Sequence, residues 1–284
     1  MNTFLCPQPI ENDKFIYNSK ERKMPDLFDL CNCGGGCGCH HDEYDDDITL
    51  RYSMPLIGDR APEFTAQTTN GTVNFPDDYA GKWVILFSHP ADFTPVCTSE
   101  FMAFQAMQPE FHELNTDIIG LSVGTLSGHL AWLNAIRDIE WRGWKDMEIT
   151  FPLIDDMKME IANKYGMIHA NASDTKAVRS VFIIDPKGII RAILYYPLTT
   201  GRNFDEIKRI LTALQTTDAF GVSTPADWQP GDDVLVGAPQ TTAEMEKRIK
   251  NKTRDKSLDV KAWFLTFKKL PASTIFEKLR KSKK

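Results

Sequence analysis

Trp83-Val84-Ile85-Leu86-Phe87, followed after Ser88 by His89-Pro90-Ala91-Asp92-Phe93-Thr94-Pro95-Val96-Cys97-Thr98-Ser99-Glu100, is the stretch from which the rest of the chain can be read. Its first five residues form a continuous apolar run of strand length, the pattern of a strand buried on both faces of an α/β sheet. Beyond it, Phe101, Phe104, Met107 or Gln108, Phe111 and Leu114 recur every three or four residues, which predicts a helix over about 98–115 with one apolar face. Cys97 stands where that helix begins.

The position has chemical consequences. The first turn of a helix presents unpaired N–H groups and the positive end of the helix dipole, and a thiolate gains from both. Thiols at helix N-termini therefore ionise more readily than free ones. Pro90 and Pro95 stiffen the turn. Thr94 stands three residues before Cys97 and can bring a hydroxyl to the sulfur or to an atom attacking it. For a lone cysteine a buried structural role is the default; the surrounding residues argue against it here.

Pro90-x-x-x-Thr94-x-x-Cys97 resembles the active-site signature of the peroxiredoxins, and the run from Ser88 to Phe101 is similar to that of their one-cysteine, peroxiredoxin-6-like branch. Val178-Arg179-Ser180-Val181-Phe182-Ile183-Ile184-Asp185 resembles the strand that carries the family's active-site arginine. The segment from Tyr196 to Ile207, with Thr199-Thr200-Gly201-Arg202-Asn203 inside it, is similar to one typical of the same branch. The likeness extends over about 55–271, leaving the first fifty residues and the extreme C-terminus outside it.

With 284 residues, 42% of them hydrophobic, the chain can bury a full core, so one main domain with additions is expected. The net charge of -6 gives no reason to expect nucleic acid as a partner. From Met245 to Lys284, however, fourteen Lys or Arg face four Asp or Glu. A solvated helix face with a basic end is the favoured reading of that excess over an anionic partner or a membrane surface. No apolar stretch has the length of a membrane span, and the N-terminus lacks the layout of a signal peptide, so a cytoplasmic location is expected.

Five of the six cysteines fall in the first 39 residues, and Cys97 alone belongs to the expected core. A core with one thiol is no disulfide scaffold. Residues 1–50 read as a Cys/Gly/Asp-rich tail rather than a folded domain. In it Cys31, Cys33, Cys37, Cys39, His40 and His41 lie within eleven residues on a glycine-rich backbone. Such a set can wrap zinc or copper(I), although its Cys-x-Cys spacing is not the usual Cys-x-x-Cys of zinc sites. The same thiols, or Cys6, can instead serve as a reductant for an oxidised Cys97, or the segment can be a plain solvated tail. These three readings stay open.

In the core, 64–75 reads as two short strands about Asn70-Gly71. A buried strand is expected over 117–123, a helix over 126–139 with Leu130, Leu133 and Ile136 inward and Trp132 at the flank, and a helix over 156–165 closed by Gly166. A hairpin turns at Pro186-Lys187-Gly188, and Asn203 caps a last core helix ending near 215. Strands alternating with helices give an α/β fold with a mixed sheet; the resemblance implies that it is thioredoxin-like. The turn-rich run 224–231 marks a boundary. The parts expected are a tail, 1–50, a thioredoxin-like domain, 51–221, and a small C-terminal α+β segment, 222–284, with 260–265 as a strand. That segment, with its basic tail, is too small to stand alone and should pack on the core or on a second subunit; the resemblance implies that it contributes to a dimer interface.

The resemblance implies a thiol-dependent peroxidase that reduces hydrogen peroxide and alkyl hydroperoxides through a sulfenic acid on Cys97, in antioxidant defence and without a cofactor. Cys97 would be the nucleophile and Thr94 a hydrogen-bond partner of sulfur and peroxide. Arg179 would favour the thiolate and stabilise the departing oxygen. Pro90 would shield the sulfur, Glu100 and Arg202 would orient Arg179 or share its charge, and His89 would border the site. No cysteine follows Cys97, so an external thiol, thioredoxin-like or glutathione, is expected as reductant. The family also implies a homodimer and in some members a homodecamer, and a holdase chaperone activity, which stands as an alternative beside metal sequestration by the tail. A phospholipase activity reported for some relatives is not expected, because Gly81-Lys82-Trp83 replaces their serine-bearing turn.

Overall fold

The structure, a computed structural model, describes residues 54–250 and 257–281. The tail cysteines and histidines, Cys6, Cys31, Cys33, Cys37, Cys39, His40 and His41, lie outside them. At the centre is the apolar run of the opening stretch, strand β3 (Trp83–Ser88), buried at all six positions. It pairs in parallel with β4 (Thr116–Ser122) and antiparallel with β6 (Arg179–Ile184). With β1 (Phe64–Thr68), β2 (Gly71–Phe75), β5 (Leu153–Asp155) and β7 (Ile190–Tyr196) they form a mixed seven-stranded sheet in the order β2-β1-β5-β4-β3-β6-β7.

The strand's side chains alternate between two cores. Trp83, Ile85 and Phe87 face the helices α1 (Pro95–Glu113), α2 (Leu126–Ile136) and α4 (Phe204–Phe220), meeting Phe101, Phe104, Phe111, Trp132, Ile207 and Leu211. Val84 and Leu86 face Phe64, Phe75, Ile161, Tyr165, Phe182 and Ile184 on the other side. Burial on both faces is why the run shows no polar alternation. Each fully buried phenylalanine contributes roughly 1.5–3 kcal/mol over an exposed one.

Several expectations change. On α2 the buried residues are His129, Trp132 and Ile136, whereas Leu130 is 49% exposed. The apolar face is rotated because a histidine occupies one of its inward positions. Helix α3 (Glu160–Lys164) starts later than 156, since Asp156 accepts hydrogen bonds from the N–H groups of Ile161 and Ala162 and so caps it from outside. Asn203 caps α4 through Glu206 N–H, but the helix continues past 215 to Phe220, where Gly221 adopts a left-handed φ of 62°. The expected strand at 260–265 is a hairpin, β9 (Leu258–Ala262) and β10 (Leu265–Lys268), which forms a second sheet in the order β8-β10-β9 with β8 (Val234–Leu235). Helix α5 (Thr242–Lys250) lies between β8 and β9 in the chain, and α6 (Ala272–Lys281) follows β10 and packs on α4. Val234, Leu270, Ile275 and Leu279 of this segment join the core that holds Trp83, so it packs on its own chain. Among the described residues, no helix is long and apolar enough to cross a membrane.

Candidate active site

Strand register assembles the site. Because β3 and β6 pair antiparallel with Phe87 opposite Val181, the start of β6 lies beside the end of β3, from which the chain turns through 89–94 into α1. Arg179, the first residue of β6, thereby reaches a cysteine 82 positions away: its Nη1 donates to Cys97 Sγ at 3.3 Å. Pro95 opens α1, a favoured place for proline. Cys97 is the third helical residue and fully buried.

The arginine is held from two sides. Its Nη1 also donates to Glu100 Oε2 at 2.7 Å, while Nε and Nη2 both donate to the carbonyl of Leu198, at 3.0 and 2.7 Å. Leu198 lies just past β7, whose pairing of Tyr196 with Arg179 carries the chain to that point. Glu100, one turn along α1 from the cysteine, meets a second arginine. Arg202 donates from Nε to Glu100 Oε1 at 3.0 Å and from Nη2 to Oε2 at 2.6 Å, and its backbone N–H reaches Oε1 at 2.9 Å. Its Nη1 spans the carbonyls of Ser88 and Ser180, and the guanidinium lies over the Phe87 ring at 4.9 Å.

Glu100, Arg179 and Arg202 are all nearly solvent-free. Burial pushes the Glu100 carboxyl up, but the charge and hydrogen bonds of Arg202, with Arg179 behind it, outweigh that and hold it below its ordinary value. Two guanidinium groups and one carboxylate leave one positive charge in a buried site. That excess of positive charge lies against Cys97 Sγ through Arg179.

Thr94 precedes α1 with an extended backbone and makes no side-chain cap. Its hydroxyl donates to the Ala91 carbonyl at 2.9 Å, so its one proton is not directed at the sulfur, and among the described residues nothing donates to its lone pairs. Pro90 is buried beside it. His89 is fully buried, and its Nε2 donates to Asp92 Oδ1 at 2.9 Å. Asp92 also accepts from His129 Nδ1 at 2.7 Å. Asp92 and His129 were not among the residues singled out from sequence. The available signal was His129 itself, three residues before Trp132 on a helix and thus on the same inward face. The Leu198 carbonyl had no signal, since a backbone acceptor is independent of residue type.

Beside the motif runs an apolar groove of about 470 Å³ lined by Phe93, Thr94, Pro95, Met102, Trp132 and Trp141 among others. At Gly81-Lys82-Trp83, two cavities are lined in part by Lys82, Pro186 and Lys187 or by Trp83 and Gln215, and neither contains a serine or a histidine. Among the described residues, no group of three or more His, Cys, Asp or Glu is placed to hold a metal ion.

Comparison with known proteins bears on the family of the whole chain. The AhpC/TSA family matches residues 57–193, and the C-terminal domain of 1-Cys peroxiredoxin matches residues 213–252. A peroxiredoxin of Methanosarcina mazei is 57% identical over 76% of this chain and 98% of its own length. One of Aquifex aeolicus is 47% identical over 77% of this chain and 98% of its own. Among solved structures, the yeast mitochondrial 1-Cys peroxiredoxin, described with its resolution by glutathione/thioredoxin systems, matches with a TM-score of 0.65. It is 40% identical and covers 76% of this chain and 100% of its own. Peroxiredoxin 6 of Arenicola marina matches with a TM-score of 0.67 at 34% identity, covering 76% and 99%. With relatives covered nearly end to end and a buried thiol met by a guanidinium at the start of a helix, the chain belongs to the peroxiredoxin family and is a thiol-dependent peroxidase.

Proposed function

We propose that Cys97 is the peroxidatic residue and that the chain reduces hydrogen peroxide and alkyl hydroperoxides in antioxidant defence. The observation that carries this is the 3.3 Å contact of Arg179 Nη1 with Cys97 Sγ. The thiolate attacks one peroxide oxygen, the O–O bond breaks, and the other oxygen leaves as hydroxide or alkoxide and takes up a proton. Cys97 becomes a sulfenic acid. Arg179 stabilises the negative charge first on sulfur and then on the departing oxygen. Arg202 and Glu100 hold Arg179, Thr94 accepts a hydrogen bond from the peroxide, and Pro90 keeps bulk water from the sulfur. His89 borders the site. The chemistry needs no resident cofactor. The apolar groove beginning at Phe93 and Thr94 suits the alkyl part of an organic hydroperoxide.

A thiol then condenses with the sulfenic acid, releasing water and forming a mixed disulfide, and a second thiol frees Cys97. We assign this step to an external thiol, glutathione or a thioredoxin-like protein, since no cysteine follows Cys97. The tail cysteines are the internal alternative, and their Cys/His set remains a candidate site for zinc or copper. The C-terminal segment, 222–284, contributes to a homodimer, for which the outer edge of β7, unpaired among the described residues, is a further available surface, and larger rings such as a decamer can grow from it. The three parts, 1–50, 51–221 and 222–284, and a cytoplasmic location complete the proposal.

The test is peroxide consumption by the full chain with glutathione, with a thioredoxin system and with no added reductant. Turnover with one of the thiols and a single equivalent consumed without it is the expected result. No consumption under any condition defeats the reading.

A further inference from the structure

The loop between β3 and α1 is pinned by the carboxylate of Asp92, whose partners His89 and His129 form none of the bonds made or broken at Cys97. Asp92 can only accept hydrogen bonds, so the nitrogen of each histidine that faces it carries the proton. That fixes His89 as the Nε2–H tautomer and His129 as the Nδ1–H tautomer, at 2.9 and 2.7 Å. Both rings are fully buried, and their other nitrogens, His89 Nδ1 and His129 Nε2, have no hydrogen-bond partner among the described residues. The residue that follows Asp92, Phe93, has a left-handed φ of 54° and is 62% exposed. A non-glycine residue keeps such a conformation only when its surroundings impose it. Phe93 has no burial to impose it, whereas Asp92 is tied across the loop to α2.

We propose that His129 is a positioning residue for peroxide reduction: by donating from Nδ1 to Asp92 it holds the left-handed turn at Phe93, and with it Pro90 and Thr94, in register with Cys97. The inference rests on the peroxidase reading and extends it to a residue on a different helix, 37 positions from Asp92. It separates two reactions of the same sulfur. Reduction of a hydroperoxide needs Thr94 and Pro90 in place, whereas alkylation by iodoacetamide needs a thiolate and access to it but no contact from Thr94.

The experiment compares His129→Asn, His129→Gln and Gly124→Ala in the full chain. An asparagine amide nitrogen falls near the position of imidazole Nδ1 and keeps the donor to Asp92, while that of glutamine falls near Nε2 and points away. Packing alone predicts the opposite order, because glutamine fills the space of histidine better. Gly124→Ala leaves the histidine in the sequence but displaces it, since a Cβ there would meet His129 Cε1 at 2.8 Å. His129→Asn should keep the peroxide rate within about three-fold of wild type, and the other two should lose about ten-fold or more, the scale of a lost hydrogen bond to a charged group. Iodoacetamide alkylation of Cys97 should stay near wild type in all three. Glutamine performing as well as asparagine, or peroxide and alkylation rates falling together, overturns the proposal. If His129→Gln does not fold, Gly124→Ala decides it by the same split. A wild type that alkylates at Cys97 but consumes no peroxide overturns the peroxidase reading and this proposal with it.

Discussion

Arg179 Nη1 is shared between Cys97 Sγ, at 3.3 Å, and Glu100 Oε2, at 2.7 Å, so one nitrogen of a buried guanidinium serves both the buried sulfur and the carboxylate that holds the arginine. Removing the guanidinium leaves the sulfur without its cation and the departing oxygen without its donor. Arg179→Met is expected to lower the peroxide rate constant by about 10²–10³, the scale for loss of one preorganised donor to developing charge. Arg179→Lys should recover part of this, since an ammonium keeps the charge but cannot bond the Leu198 carbonyl, Glu100 and sulfur from one plane. Stopped-flow rates for the three proteins check it. Equal rates would mean that another cation serves Cys97.

Glu100 is the common partner of both arginines, and its loss exposes them to each other. Glu100→Gln should destabilise the fold by about 3–5 kcal/mol, the usual effect of breaking a buried ion pair from one side. It should also slow peroxide reduction, because Arg179 loses one of its two anchors. Urea unfolding at neutral pH measures the first effect. A change within error would show that the two cations tolerate each other without the carboxylate.

The buried histidine makes the fold acid-sensitive. Desolvation lowers His89 to about 4, against the favourable hydrogen bond and charge of Asp92, with His129 and Arg202 adding to the lowering. The folded state therefore prefers neutral His89, and the unfolded chain binds the proton first as pH falls below the ordinary value of 6.5. The stability this residue contributes is complete above that value and is lost as pH falls towards 4, on the order of 3 kcal/mol in all. Asp92 acts in the same sense at lower pH. Burial raises it, but the hydrogen bonds from His129 and His89 outweigh this and bring it to about 2, so its contribution fades only as pH falls below 3.8. Unfolding midpoints at pH 7 and 4.5 should drop more steeply for wild type than for His89→Gln. Parallel curves would mean that His89 is protonated in the fold.

The central strand, the helix that starts at Cys97 and the pairing of Arg179 with the thiol were legible because each depends on local pattern or on a known signature. Trp83 to Phe87 read as buried on both faces, and they are. The inward face of α2 was misread because His129 carries no hydrophobic weight, yet it is fully buried with its donor satisfied by Asp92. Polar burial of that kind depends on a partner 37 positions away and leaves no periodic trace. The direction of the Thr94 proton, to the Ala91 carbonyl, follows from the backbone turn and not from the residue type. The later start of α3 has a similar origin in the two backbone N–H groups that Asp156 accepts.

The most direct measurement is the fate of the sulfur. The reduced full chain is treated with one equivalent of hydrogen peroxide in the presence of dimedone, and the modified residue is located by peptide mass spectrometry beside the amount of peroxide consumed. The expected result is one peroxide consumed per chain, with the sulfenic-acid adduct on Cys97, and neither consumption nor adduct in a Cys97→Ser protein that unfolds at the wild-type midpoint. Undiminished consumption by Cys97→Ser, or an adduct confined to the cysteines between 6 and 39, would contradict the assignment of the buried thiol beside Arg179 as the reacting group.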